Sequence, residues 1–294
     1  MSSDSRPLVT IGLPVYNGDE TLRSVLESIV SQSYAHFRVV ISDNASSDAT
    51  ESICREFQKR DARLVYIRQP SNIGAEANFD FVLAEADSKY FMWAAADDVR
   101  SREFLERNVE YLEVNPDFVA STCPVRFEGG EFDPIHMGDQ SLDQSDPYER
   151  ILKFLEVWHA NGRMYSLFRT EALKDTKMSD CRYMGGDWTL VANLLVAGKF
   201  KRLECGYVER GKKGVSNSLN IFTIYRTRLV CWVFPIFDMS RELFKIFRKA
   251  QFQQKLKLFV RVLRLNFNAF KTQLKFVMRQ RAQRNSRSLP VSGS

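Results

Sequence analysis

Over its first hundred residues the chain alternates four times between apolar runs of strand length and amphipathic stretches of helical period. That alternation leaves few folds open to it. Leu8 to Pro14 reads as a buried strand entering a Pro-Val-Tyr-Asn-Gly turn, after which Leu22, Val25, Leu26, Ile29 and Val30 recur at helical spacing. Phe37 to Ile41 is a second strand and stops in Ser42-Asp43-Asn44-Ala45-Ser46-Ser47-Asp48. Asp48 and Glu51 have capping-box spacing for a helix to Arg60. Leu64 to Ile67 is a third strand, followed by a turn at Gln69 to Gly74 and a helix to Asp87. The fourth, Tyr90 to Ala96, ends in Asp97 and Asp98, with a helix start at Ser101. This order calls for a parallel sheet with right-handed crossovers.

Polar, turn-forming residues follow the strands at Pro14 to Gly18, Asp43 to Asp48 and Asp97-Asp98. Ligands of open α/β sheets collect at such strand ends, so a nucleotide lying across them is the economical reading. Two adjacent acids repel unless a cation or bound group compensates them, which points to a metal site for a phosphorylated ligand. Alternatively, the pair only turns the chain into the next helix. Neither G-x-G-x-x-G nor G-x-x-x-x-G-K-[ST] occurs, so hydride transfer and a P-loop lack support.

Beyond the acids, Phe104, Leu105, Val109 and Leu112 give a helix a core face, and Phe118 to Val125 reads as a strand. Glu128 to Asp146 is rich in Gly, Asp and Pro, and a mobile loop is expected there. Pro147 opens an amphipathic helix, and Met164 to Phe168 is a short strand. Gly185-Gly186-Asp187-Trp188 precedes an apolar helix closed by Gly198, and Phe200 to Val208 reads as an edge strand.

PVYNG, SDNASSDAT, NIGAEANF, AAADD and GGDW occur in that order, and together they resemble the inverting family 2 glycosyltransferases of the GT-A fold. The likeness runs from about Pro7 to Tyr207. It implies a Rossmann-like, mostly parallel α/β sheet flanked by helices. It also implies a metal-dependent hexosyltransferase using Mn²⁺ or Mg²⁺ and a nucleotide-diphosphate sugar donor. By the resemblance, Pro14, Val15 and Tyr16 border the base and Asp43 hydrogen-bonds it. Asn72 and Gly74 approach the nucleotide, Asp97 lies near the ribose or diphosphate, and Asp98 is the metal ligand. Asp187 matches the catalytic base. Ala95, Ala77 and Asn44-Ala45 depart from the family pattern, which often has an acid, an Arg and Asp-Gly there.

The chemistry has two needs. A cation held by carboxylates and phosphate oxygens offsets the charge of the departing diphosphate, and a carboxylate takes the proton of the attacking hydroxyl. Asp98 and Asp187 divide these roles, and direct displacement inverts the anomeric carbon. Simpler duties exist for each acid: Asp187 as a helix N-cap and Asp43 as an Asx-turn residue. Trp93 and Trp188 are expected in the core or a pocket wall, and His36, His136 and His159 have no ligand spacing. Arg210, Lys212 and Lys213 read as a solvated basic turn.

The net charge of +6 conceals an asymmetry: Arg241 to Arg287 holds fourteen Lys or Arg and one acid, so the rest is net negative. Phe252, Leu256, Phe259, Leu263, Phe267, Phe270, Leu274 and Met278 line one face of a helix there, with Lys and Arg around the remainder. Such a helix suits an anionic membrane surface through residues 241–285, or packs on the body or a second subunit. No nucleic-acid module accompanies it. The expected organisation is a GT-A domain over 1–210 (donor half 7–100, acceptor half 101–210). A basic helical region over 211–285 and a disordered tail over 286–294 complete it. A signal pattern is missing from MSSDSRPLVT, no apolar run reaches spanning length, and five cysteines lack C-x-x-C pairing. A cytoplasmic enzyme, peripheral at the inner face of the cell membrane, is therefore expected. Its acceptor would be a saccharide or lipid-linked saccharide of lipopolysaccharide or O-antigen synthesis. A non-catalytic scaffold of the same fold and a nucleotidyltransferase are the rivals, the second needing a Gly-rich, Lys- or Arg-bearing triphosphate loop that GLPVYNG lacks.

Overall fold

β1 (Val9–Val15), buried at every residue, lies inside the sheet, paired in parallel with β2 (Phe37–Asp43) on one side and β4 (Tyr90–Trp93) on the other. Its sequence is apolar but for Thr10, whose hydroxyl meets Ser88 Oγ at 2.7 Å, as a strand covered on both faces requires. Gly12 permits the close packing there, since a Cβ would come within 2.7 Å of Val82 and 2.8 Å of Phe91. The computed structural model describes residues 8–211, 221–226 and 228–287.

The crossovers are α1 (Asp19–Val30), α2 (Thr50–Arg60) and α3 (Ala75–Ala84), with β3 (Leu64–Arg68) completing the first half. α1 buries Leu22, Val25, Leu26 and Ile29, the residues that the periodicity singles out. The capping box at Asp48 forms differently from its pattern. Asp48 accepts from Thr50 N at 3.0 Å and Asp19 N at 3.1 Å, while Glu51 pairs with Arg55 and Arg68. The first turns of α1 and α2 are thereby tied to each other.

After β4 the chain turns through the acids into a two-residue strand, β5 (Val99–Arg100), and α4 (Phe104–Val114) starts later than Ser101. β6 (Phe118–Thr122) and β7 (Val125–Phe127) divide the single strand expected over Phe118 to Val125. Glu128 to Asp146 is ordered, contrary to expectation. Asp133 caps the short α5 (Pro134–Met137), and buried Asp139 accepts from Val125 N at 2.8 Å and Arg202 Nε at 3.1 Å. α6 (Pro147–Phe154), β8 (Leu167–Arg169), α7 (Gly186–Ala197), β9 (Lys199–Arg202) and β10 (Val208–Arg210) follow.

Among the described residues the strands form a seven-stranded sheet, β3-β2-β1-β4-β8-β6-β9, and a three-stranded one, β5-β10-β7. β8 runs antiparallel to β4 and β6, and the other pairs of the large sheet are parallel. The carboxyl ends of β1, β2, β3 and β4 therefore share one edge of the sheet.

By their contacts the described residues fall into two units, residues 8–182 with 186–211, and residues 183–185 with those from 221 onward. The second contains α8 (Ile221–Ile224), α9 (Phe237–Ile246) and α10 (Phe252–Arg287). In it, Met239 packs where a Cβ on Gly185 would stand, at 2.4 Å from its sulfur.

Candidate active site

At the exits of β1, β2 and β3 the expected base-side residues form one hydrogen-bonded assembly. Val15 and Asp43 are register partners, as are Asp43 and Arg68. Pro14, Val15 and Asp43 are buried, while Tyr16 is 52% exposed. Asp43 accepts three bonds from protein donors: Oδ1 from Ser46 N at 2.8 Å, and Oδ2 from Tyr66 Oη at 2.7 Å and Arg68 Nη1 at 2.8 Å. Asn44 fastens the next turn. Its amide donates to Asn72 Oδ1 at 3.0 Å and its carbonyl accepts from Ile73 N at 2.8 Å. Asn72 Oδ1 also accepts from Gly74 N at 2.9 Å, and Gly74 has φ of 90°, a conformation that glycine adopts without strain.

Asp97 and Asp98 occupy unlike surroundings. Asp98 is 1% exposed; its Oδ1 accepts from Gly211 N at 3.3 Å, and its Oδ2 has no hydrogen-bond partner among the described residues. Burial raises its pKa, against the opposing pull of Arg210, whose Nε lies 3.9 Å away, and of Arg100. Asp97 is half-buried, and the Gly211 backbone crosses it so closely that a Cβ would stand 2.4 Å from Oδ2. Thr21 Oγ1 donates to Ala96 O at 2.8 Å, joining this turn to the first turn of α1.

Asp187 stands in the first turn of α7, half-buried. Asn161 Nδ2 donates to its Oδ2 at 2.8 Å. Burial raises its pKa, while the Asn161 bond, the Trp188 N–H and the charge of Arg210 pull it back. Asn161 is in turn held by His159. Asn161 N donates to His159 Nδ1 at 3.0 Å, and Nε2–H donates to Phe154 O at 3.2 Å. These bonds require the neutral imidazole, and burial pushes its pKa down to about 3. His159 also stacks on Trp188 at 4.1 Å, as does Trp158 at 4.6 Å. Trp93 and Trp188 are both buried.

Two residues unite the acids. The charges of Arg210, Asp98, Asp97 and Asp187 all act on the Tyr165 hydroxyl, whose pKa rises chiefly through burial. The Arg210 guanidinium lies over the Tyr165 ring at 5.2 Å, donates to Ala160 O at 2.7 Å, and lowers the pKa of both Asp98 and Asp187. Arg210 is thus not a solvated basic turn: its side chain is 13% exposed. Lys212 and Lys213 lie outside the described residues. Sequence patterns offer little hint of Asn161, Tyr165, Arg210 or Gly211. Asn161-Gly162 marks a turn, and nothing local ties it to Asp187.

Among the described residues no three His, Cys, Asp or Glu side chains converge to hold a metal. The Asp97–Asp98 turn still fits a divalent cation of the kind completed by substrate phosphates, which needs one or two carboxylates. Asp98 Oδ2 is buried with no hydrogen-bond partner among the described residues, and Asp97 is the more open of the two.

Comparison with known proteins adds the family. The model of glycosyl transferase family 2 matches residues 10–176. TuaG of Bacillus subtilis, named for teichuronic acid biosynthesis, is 28% identical over 124 residues, 42% of this chain and 47% of TuaG. The chain spans less than half the length of the curated relatives it matches. Among solved structures, TarS 1–349 of S. aureus superposes with a TM-score of 0.61 at 17% identity, covering 87% of this chain and 70% of that one. PcManGT, a mannosyltransferase of Pyrobaculum calidifontis solved with GDP-Man and Mn²⁺, gives 0.59 at 17% identity, covering 98% of this chain and 76% of that one. Likenesses at such identity speak for the fold, GT-A, and the family match spans more than half of the chain: it belongs to glycosyl transferase family 2.

Proposed function

We propose that this protein transfers a sugar from a nucleotide-diphosphate donor to a hydroxyl of a saccharide or lipid-linked saccharide, with inversion at the anomeric carbon. The observation carrying this reading is that Arg210 links acids far apart in sequence: its Nε lies 3.9 Å from Asp98 Oδ2, and it donates at 2.7 Å to Ala160 O, beside the Asn161 that holds Asp187. Complexes of TarS with UDP-GlcNAc and of PcManGT with GDP-Man and Mn²⁺ support the donor class.

In this mechanism Asp187 is the catalytic base and takes the proton of the acceptor hydroxyl. Asn161 fixes Oδ2 and so orients the carboxylate, and burial raises its basicity. Pro14, Val15, Tyr16, Asn72 and Gly74 border the nucleotide. Asp43 borders the base as well, its Oδ1 keeping acceptor capacity beyond the Ser46 N–H, while Oδ2 holds Tyr66 and Arg68. A bound Mn²⁺ or Mg²⁺ supplies charge neutralisation for the departing diphosphate. Sequence reasoning puts that ion on Asp98 with Asp97 toward the ribose or diphosphate. The orphaned Oδ2 of Asp98 supports that division: Asp98 would hold the ion, and Asp97, the more open of the pair, would face the ribose or diphosphate. On the acceptor side, Trp158 is 40% exposed and stacked on Trp188, the neighbour of Asp187. It offers a face for a sugar ring.

The acceptor favoured is a growing bacterial surface polysaccharide such as lipopolysaccharide or O-antigen, met at the inner face of the cell membrane. The name of TuaG supports a polymer of this kind. No described helix is long and apolar enough to cross a membrane. Incubation with UDP- and GDP-sugars, with and without Mn²⁺ or Mg²⁺, tests the reading. Metal-stimulated release of the nucleoside diphosphate and an inverted product anomer by NMR are expected. Formation of a nucleoside triphosphate and sugar 1-phosphate from the sugar nucleotide when pyrophosphate is added, in place of nucleoside diphosphate release, would replace it with nucleotidyl transfer.

A further inference from the structure

The residues that α10 buries are not its most apolar stripe. Leu256, Phe259, Leu263, Phe267, Phe270, Leu274 and Met278 recur every three or four residues, and all but the half-buried Phe270 are between 44% and 62% exposed. The buried side consists of Leu258, Val262, Leu265 and Ala269, with two fastening amides. Asn266 donates to Ser240 Oγ at 3.1 Å and accepts from Ile236 N at 3.3 Å, while Gln273 donates to Trp232 O at 2.8 Å. The helix is therefore already anchored to α9 and the segment before it by one face, and a second apolar face is left over.

The cations occupy a third sector. At about 100° per residue, Lys257, Arg264, Lys271 and Lys275 fall between the exposed stripe and the buried side, and all are exposed. The segment that Gln273 holds beside α10 presents more apolar surface: Leu229 is 86% exposed, Val233 58% and Trp232 45%. The Arg226 guanidinium lies 3.6 Å from the centre of the Trp232 ring. An aromatic ring paired with a cation suits the boundary between headgroups and acyl chains.

We propose that the Leu256–Met278 stripe of α10 docks in the plane of an anionic lipid bilayer, with the Leu229–Val233 segment as an adjoining interfacial anchor. Charge complementarity decides the occupant. The stretch Arg241 to Arg287 has fourteen cationic residues and one acid. A second copy would bring an equal cationic sector alongside, whereas anionic headgroups neutralise it as the stripe enters the acyl boundary. This surface goes beyond the transferase reading and does not depend on it.

The test is flotation of the full chain with vesicles of phosphatidylcholine, alone or mixed with phosphatidylglycerol. Binding is expected only with phosphatidylglycerol and should weaken as salt is added. Leu263→Ser with Phe267→Ser should weaken it about tenfold or more, with an unchanged thermal melt, because both side chains are exposed. Lys271→Gln with Lys275→Gln should have an effect of about tenfold and reduce the salt dependence. Equal binding to both vesicle types, or retention by the serine pair, would overturn the proposal. So would a dimer that the serine pair dissolves without any vesicle binding. Vesicle binding is read without turnover, so its failure would leave sugar transfer standing, and loss of turnover would leave this surface standing.

Discussion

Asn161 donates its side-chain N–H to Asp187 Oδ2 at 2.8 Å, across twenty-six positions of sequence. The bond favours the ionised carboxylate, and the carboxylate pKa is nonetheless raised because burial outweighs it. Asp187 accepts a proton only when ionised, so turnover should rise with pH through that raised pKa. Asn161→Ala removes a stabiliser of the anion. Its pH–rate profile should show the acid limb displaced to higher pH, with kcat down about tenfold to a hundredfold at neutral pH.

Arg210 lowers the pKa of both Asp98 and Asp187. Arg210→Gln should therefore raise both, moving the acid limb upward as Asn161→Ala does. It should also weaken donor binding, which Asn161→Ala leaves unchanged. Paired pH profiles and nucleotide titrations of the two variants check this.

Trp158 is predicted to serve the acceptor alone. Trp158→Ala should raise the KM for the acceptor about tenfold, as expected for loss of a stacking contact, and leave the KM for the sugar nucleotide as it was. Initial rates with each substrate varied in turn separate the two.

In β1, Gly12 has no space for a side chain: Val82 and Phe91 stand within 2.8 Å of any Cβ. Gly12→Ala should cost about 1–3 kcal/mol of stability, measured by urea denaturation, through displacement of α3 from the sheet.

The first half of the fold was legible because its signals are local. Ile11, Leu13, Val39 and Ile41 make continuous apolar runs, and Leu22 to Ile29 keep a helical period. The second half depends on pairings that local pattern does not carry. β5 and β10 are two and three residues long, and β10 gains its place from β5 and β7, far away in the chain. Arg210 lies on that strand, so its approach to Asp98 could not be foreseen from ERGKKG. Asp139 likewise orders a stretch whose Gly and Pro content reads as a loop, through bonds to Val125 and Arg202. On α10 the period revealed an apolar stripe, but the period alone does not tell which face a partner covers. Leu258, Val262 and Leu265 are buried in place of the more apolar side.

The central claim is that Asp187 removes the proton from the attacking hydroxyl. Turnover and nucleotide binding measured side by side for Asp187→Asn test it most directly. Turnover should fall by about a hundredfold or more with donor affinity retained. Turnover close to that of the unaltered protein would contradict it.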